Sequence, residues 1–152
     1  MLFPYRNDVR KVLLPYLEKL DKDLWYRTSS NYPNSVAWVV LHIAQSEDHW
    51  VNKIGNKSEL LLPDLVGAER EEPANLIHQY IKIREYTDRV LQSLSEEELD
   101  MEVEVPIFAD GWVPPSAPTW RWLFHHVYTH EAYHVGQIGV IARINGFRGP
   151  LF

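Results

Sequence analysis

The spacing of apolar residues predicts four long helices separated by turn-forming segments. The first pattern extends from about Asn7 to Trp25, and Pro15 lies inside it. A proline within a helix removes a hydrogen bond and crowds the preceding turn, so we expect a kink or a division there. The expected ends of the later helices are Asn34 or Ser35 and Gly55 for the second, Pro73 and Leu94 for the third, and Thr119 and Asn145 for the fourth.

The segment between the third and fourth helices is long and carries mixed signals. Ser95 and Glu98 form a capping-box pattern that predicts one more short helical turn. Apolar residues at 101, 103, 105 and 107 alternate with Glu102 and Glu104, and Asp110-Gly111 is a turn signal, which together favour a small hairpin. Prolines at 114, 115 and 118 favour instead an ordered loop across the end of the bundle. Both interpretations are compatible with an all-α, four-helix bundle that forms a single domain over residues 1–152.

Composition narrows the classes of function. The chain has 152 residues, a net charge of −6 and no cysteine. The charge argues against a nucleic-acid partner, and the lack of cysteine excludes disulfides, thiolate zinc ligands and a cysteine nucleophile. The N-terminal residues do not resemble a secretory signal, and no apolar run approaches the ~18 residues of a membrane span. We therefore expect a cytoplasmic protein with no membrane partner.

Two histidines on the last predicted helix are the strongest chemical signal. His130 and His134 are four residues apart, so they lie about 40° apart on the helix, within its apolar stripe. Two imidazoles that face the same apolar space are costly to bury without partners. A divalent metal ion shared by both rings would satisfy them. A pair of core or partly solvated histidines is the alternative.

A third ligand would strengthen the metal hypothesis, and the second helix offers two candidates. His42 lies on the flank of the apolar stripe of that helix, so an inward orientation is allowed but not required. His49 follows seven residues later and projects to nearly the same side. Helical geometry leaves the choice between them open.

The residues around these histidines resemble a known family. An early helix with Leu41-His42-Ile43-Ala44 and a late helix with the sequence His130-Glu131-Ala132-Tyr133-His134-Val135-Gly136-Gln137 are similar to the DinB-like superfamily of metal-binding four-helix bundles, which includes bacillithiol transferases. The position after His134 is Val135, where many relatives carry arginine. This difference removes a basic side chain beside His134 but does not change the histidines themselves.

The resemblance implies a metal site formed by His42, His130 and His134. Three nitrogen ligands leave a coordination position open, as in catalytic sites, and zinc or nickel are the leading metals. For some relatives the chemistry is thiol transfer, and here the sulfur would have to come from a small-molecule thiol substrate. Gln137 could orient a ligand, Arg143 could meet an anionic cosubstrate, and a homodimer is expected.

Other polar residues receive simpler interpretations. Glu47 and Asp48 could supply a general base or accept a hydrogen bond from a ligand imidazole, but solvated carboxylates are the favoured interpretation. Glu131 is expected to point about 100° away from His130. The tryptophans of the long connection either pack in the core or cover the site. Two further hypotheses stay open: a metal- or small-molecule-binding stress protein without turnover, and a structural bundle whose histidines are core polar groups.

Overall fold

The computed structural model describes residues 2–152, and within that range the regular structure is helical, without a β-strand. None of the helices in this range combines the length and the apolar character that crossing a bilayer requires. The elements are α1 (Asp8–Lys19), α2 (Lys22–Trp25), α3 (Val36–Asp48), a π-helical segment (His49–Gly55), a 3-10 turn (Gly67–Glu69), α4 (Pro73–Ser93), α5 (Glu96–Leu99) and α6 (Trp120–Ile144).

The long helices α1, α3, α4 and α6 form the bundle, which confirms the predicted all-α class. α3 is central, since it packs against both α4 and α6, while α1 packs against α6. Most of the buried side chains between them are apolar, and their burial supplies the main driving force for packing. The largest members of this core are Trp25, Tyr80, Phe124, Leu13, Leu17, Ile43, Leu76, Ile83, Leu99, Leu123, Ile138 and Ile141.

Local sequence signals account for most helix ends. The side chains of Ser35, Ser95 and Thr119 each accept a hydrogen bond from the backbone N–H three residues further on. Pro73 occupies the first position of α4, where its missing N–H is not needed. Gly146 follows α6 with φ of 75°, the left-handed conformation that favours glycine. These predictions of helix boundaries are confirmed.

The first predicted helix is divided, but not at Pro15. α1 continues through Pro15 to Lys19, and the extended backbone of Leu20 separates it from α2. Pro15 and Lys11 are both exposed. The Lys11 carbonyl that loses its helical partner therefore faces water, which removes most of the cost of the proline at this site.

Of the two alternatives for the connection after α5, the structure shows the ordered loop and not the hairpin. A single isolated bridge joins Glu102 to Thr119. Beside it, the Val103 N–H donates to the Pro118 carbonyl at 2.8 Å, and the side chain of Val103 is buried. Residues 104–117 add no further ladder, because prolines lack the N–H donors that a second strand would need.

α3, which corresponds to the second predicted helix, ends in a π-helical segment and not at a regular α-helical cap. α3 passes directly into the seven-residue π-helical segment. Asp48, at the junction, is buried and accepts hydrogen bonds from the N–H groups of Leu61 and Leu62 at 3.0 and 2.7 Å. Asp48 is thus a structural anchor for the following loop, and the expectation of a solvated carboxylate was wrong.

Candidate metal centre

Three histidines converge between α3 and α6. His42 on α3 meets His130 and His134 on α6, and one ring nitrogen of each lies within 4.8 Å of the others. The Nε2 atoms of His42 and His134 are 3.1 Å apart. The structure therefore brings His42 to the pair on α6, while His49 is exposed at the start of the π-helical segment.

Helix packing explains this convergence. The rings of His130 and His134 lie one turn apart on α6 with centroids 4.3 Å from each other. Buried Val127 and Ile138 on the same helix face hold that side of α6 against the core. His134 is 9% exposed, whereas His42 and His130 are half-buried. The triad thus lies at the margin of the core, with two of its three rings partly accessible to solvent, and not in the middle of the apolar stripe.

Burial and mutual proximity favour the neutral form of His130 and His42. Desolvation and the neighbouring His134 and His42 lower the pKa of His130 to about 3. Desolvation, together with His134, also lowers the pKa of His42. Neutral imidazole is the form that ligates metals, so the site is prepared to bind a cation at neutral pH with little competition from protons.

Gln137 fixes the orientation of His134. Its side-chain oxygen lies 2.7 Å from His134 Nδ1. With the amide oxygen in that position, Nδ1 carries the proton and donates to it, which leaves the lone pair of Nε2 facing the other two rings. A hydrogen bond to the second ring nitrogen is how proteins commonly orient a metal-binding histidine.

Aromatic side chains flank the triad on both sides. Trp38 stacks on the His42 ring with centroids 4.8 Å apart and planes 5° from parallel. On the other flank, His126 lies with its centroid 6.0 Å from that of His130. Around His126 is a group of aromatic rings that we call the aromatic roof: Trp50, Phe108, Trp112 and Trp122.

The aromatic roof joins the long connection to the bundle. Trp112 and Phe108 come from the loop, Trp122 from α6 and Trp50 from the π-helical segment. Burial lowers the pKa of His126, and the neighbouring His125 adds to the effect. Trp120, by contrast, stacks on Phe124 and is not part of the roof.

Arg143 is not brought to the three histidines. It is exposed in the last turn of α6, nine residues beyond His134, which corresponds to about 13.5 Å of helix rise. It lines a separate cavity of about 560 Å³ with Gly136, Gly139 and the C-terminal residues 147–151. Its role toward an anionic cosubstrate stays a prediction.

Next to the triad lies a charged network that the sequence pattern did not reveal. Arg10, Glu47, Arg84 and Glu131 are all buried and paired with one another. The Tyr80 hydroxyl also donates to Glu131. The expectation of a solvated Glu47 was therefore wrong, and Glu131 turns into the core, where it meets both arginines. One residue in the sequence did indicate a buried charge: Arg84 lies within the apolar stripe of α4.

The donor set fits a divalent ion. Two nitrogens bound at 2.0–2.1 Å to a tetrahedral ion are about 3.3 Å apart, close to the 3.1 Å between His42 and His134. All three rings are imidazoles, which suit zinc, nickel, copper and iron(II). His42, His130 and His134 are thus a group that can hold a metal.

Comparison with known proteins agrees with this architecture. The sequence profile of the DinB superfamily matches residues 7–138, so the chain belongs to the DinB superfamily. The matched range includes all three histidines and Gln137. The chain is also 23% identical over 141 residues to a protein named "uncharacterized protein YizA" from Bacillus subtilis (strain 168), covering 93% of this chain and 84% of that relative.

Proposed function

We propose that this protein is a metal-dependent enzyme of the thiol-S-transferase or hydrolase type, with His42, His130 and His134 as its metal ligands. The observation that carries the proposal is the convergence of three imidazoles at the margin of the core, where His42 and His130 are partly exposed to solvent. A fully enclosed four-ligand site would suit a structural role, whereas three protein ligands leave a position for substrate. Zinc and nickel are the proposed metals.

The residues around the triad have distinct proposed tasks. Gln137 orients His134, and Trp38 holds the plane of His42 by stacking. The aromatic roof excludes water from one flank and offers an apolar wall to a small-molecule substrate. When bound, a divalent ion with a free position supplies Lewis acidity, which favours the deprotonated, nucleophilic form of a thiol or of water.

The proposed substrate is a low-molecular-weight thiol that reacts with an electrophilic carbon. The sulfur must come from the substrate, because the chain has no cysteine. In the transfer, a bond forms between the sulfur and the carbon, the bond from that carbon to its leaving group breaks, and the thiol proton passes to solvent. Hydrolysis of an ester or amide is the alternative reaction at the same site.

Thiol consumption by the metal-loaded protein tests this proposal. The protein is loaded with zinc or nickel and mixed with a small thiol and an alkyl or aryl halide, and loss of free thiol is followed without background from the chain. Turnover should disappear in His130→Ala and His134→Ala and persist in His125→Ala, an exposed histidine on the same helix. Ester hydrolysis is measured in parallel with the same variants.

Metal binding and catalysis are tested separately by this experiment. Stoichiometric metal binding without turnover of any thiol–electrophile pair or ester would contradict catalysis. It would favour the alternative function, a metal- or small-molecule-binding stress protein.

We further propose that the protein acts in the cytoplasm as a homodimer. Tyr133, Val140 and Ile144 are 69%, 47% and 45% exposed and share one stripe of α6, which supports a contact between two copies. Sedimentation equilibrium of the wild type and of Val140→Glu measures the association, and the substitution should shift the protein toward the monomer.

A further inference from the structure

The buried charged network connects all four long helices. Arg10 comes from α1, Glu47 from α3, Arg84 from α4 and Glu131 from α6, and none of them is more than 4% exposed. Two positive and two negative groups give the network a net charge of zero. Fully buried charges are rare unless each is paired, so this group is a specific feature of the core.

Each guanidinium in the network contacts both carboxylates. Arg84 places Nε 2.8 Å from Glu47 Oε1 and Nη2 2.6 Å from Glu131 Oε2. Arg10 places Nη2 2.9 Å from Glu47 Oε2 and Nε 2.8 Å from Glu131 Oε1. Both arginines therefore bridge the two carboxylates. Arg84 does so by hydrogen bonds to each of them, and Arg10 by a hydrogen bond to Glu47 and an ion pair with Glu131.

These carboxylates belong to the two helices that carry the histidines. Glu131 is the residue after His130 on α6, and Glu47 is five residues after His42 on α3. The network is also close enough for the charge of Glu47 to act on His130. The double link between α3 and α6 thus lies beside the point where the imidazoles meet.

Stability alone is a weak explanation for this arrangement. The desolvation of buried ion pairs largely offsets their attraction, and well-packed apolar residues of similar size are often as stable or more so. What ionic hydrogen bonds add is fixed length and direction. Apolar contacts between α3 and α6 would allow small shifts along or around the helix axes that paired guanidinium–carboxylate contacts do not allow.

We propose that Arg10 and Arg84 are positioning residues that set the spacing between His42 on α3 and His130 and His134 on α6. They hold Glu47 and Glu131 at a fixed separation and thereby fix the rotation and register of the two ligand-bearing helices. This inference rests on the metal-binding part of the proposed function and does not depend on turnover.

A conservative substitution separates positioning from charge. Arg84→Lys keeps the positive charge but cannot contact both carboxylates with a planar fork. We expect it to weaken zinc affinity by about tenfold to a hundredfold, the range found when residues that orient metal ligands are changed. The visible absorption of bound Co²⁺, which reports coordination geometry, should change as well.

Arg121→Lys is the matched control. Arg121 also bridges two carboxylates, with Nε 2.9 Å from Asp100 Oδ1 and Nη2 3.0 Å from Glu96 Oε2, but these contacts join the start of α6 to the α5 region and do not link α3 to α6. Zinc affinity and the Co²⁺ spectrum should be those of the wild type. Unfolding in urea is measured for both variants, so that a general loss of stability is distinguished from a change at the metal centre.

A second variant replaces the whole network by Arg10→Met, Glu47→Leu, Arg84→Met and Glu131→Leu, which leaves the net charge of the chain unchanged. If this protein folds, we expect a weakened metal site in a bundle of undiminished stability. If it does not fold, Arg84→Lys decides the matter. Wild-type zinc affinity and Co²⁺ spectrum in Arg84→Lys, or in the folded quadruple variant, would overturn the inference while leaving the proposed function intact. A wild type that binds no zinc would overturn both.

Discussion

Gln137 is a polar side chain that contacts the triad without belonging to it. Its oxygen accepts from His134 Nδ1 at 2.7 Å, so the tautomer of His134 depends on this contact. Without an acceptor at this position, the proton can move to Nε2 and the ring can rotate. The amide therefore contributes to metal affinity without being a ligand.

Gln137→Ala should lower zinc affinity by about tenfold to a hundredfold. Gln137→Glu keeps an acceptor oxygen, so it should retain affinity near that of the wild type. Isothermal titration with zinc measures both, and Gln45→Ala, at an exposed position of α3, is the control. Equal affinity in Gln137→Ala and the wild type would contradict the orienting role.

His130 gives the metal-free protein a predictable dependence on pH. Its pKa is about 3 in the folded chain, compared with the ordinary 6.5 expected in the unfolded chain. As the pH falls below 6.5, the unfolded state therefore binds a proton that the folded state does not. The stability of the folded state should decrease as the pH falls from about 6.5 toward 3.

Urea unfolding of the metal-free protein between about pH 7 and pH 5 tests this, since few carboxylates titrate in that window. The wild type should lose stability toward pH 5, and His130→Gln should lose clearly less, because the substituted side chain does not titrate. Identical slopes for the two proteins would show that His130 is not desolvated in the folded state.

The junction between the π-helical segment and α6 depends on a small residue. Gly55 packs directly against the Trp120 ring, and a Cβ built there would lie 2.3 Å from Trp120 Cη2. No side-chain carbon can be accommodated at that distance, so the ring or the helix end would have to move. The glycine is thus required by a close approach and not by its backbone angles.

Gly55→Ala should lower the free energy of unfolding by about 1–3 kcal/mol, as other overpacking substitutions do. Gly136→Ala on α6 is the matched control, because a Cβ added there would meet no neighbouring atom within 4 Å. That substitution should be neutral or stabilise the helix by up to about 1 kcal/mol. Thermal unfolding of both variants makes the comparison, and an equally stable Gly55→Ala would contradict the packing described.

The elements that the sequence predicts well are those determined by neighbouring residues. Ser35, Pro73 and Thr119 act within one turn of their own positions, so the helix boundaries follow from local patterns. The alternating pattern of residues 101–107 is also local, but a β-strand forms only when a second strand, often distant in sequence, pairs with it. The proline-containing segment that should have supplied it gives only the bridge at Thr119.

The sequence predicted the part of the candidate site that lies on a single helix. His130 and His134 are adjacent on one helix, so their proximity follows from spacing alone. The choice of His42 over His49 depends on the rotation of α3 against α6, which helical periodicity does not give. The burial of Glu47 was not predicted for the same reason: a carboxylate is costly to bury alone, and the arginines that pair with it lie on other helices.

At the scale of the whole molecule, the three histidines lie between two groups of aromatic side chains. Trp38 covers one side, and the aromatic roof, held by the loop between α5 and α6, covers the other. The DinB superfamily fold thus supplies the rigid helices, while the loop supplies side chains that a substrate would meet. All of this depends on one cation binding among His42, His130 and His134.

X-ray diffraction from crystals grown with zinc, recorded on both sides of the zinc absorption edge, tests that claim most directly. We predict one anomalous peak bounded by the rings of His42, His130 and His134, and no such peak in crystals of His134→Ala grown in the same way. A wild-type map without a peak among these three rings, or with zinc bound instead at exposed histidines such as His49 and His125, would contradict it.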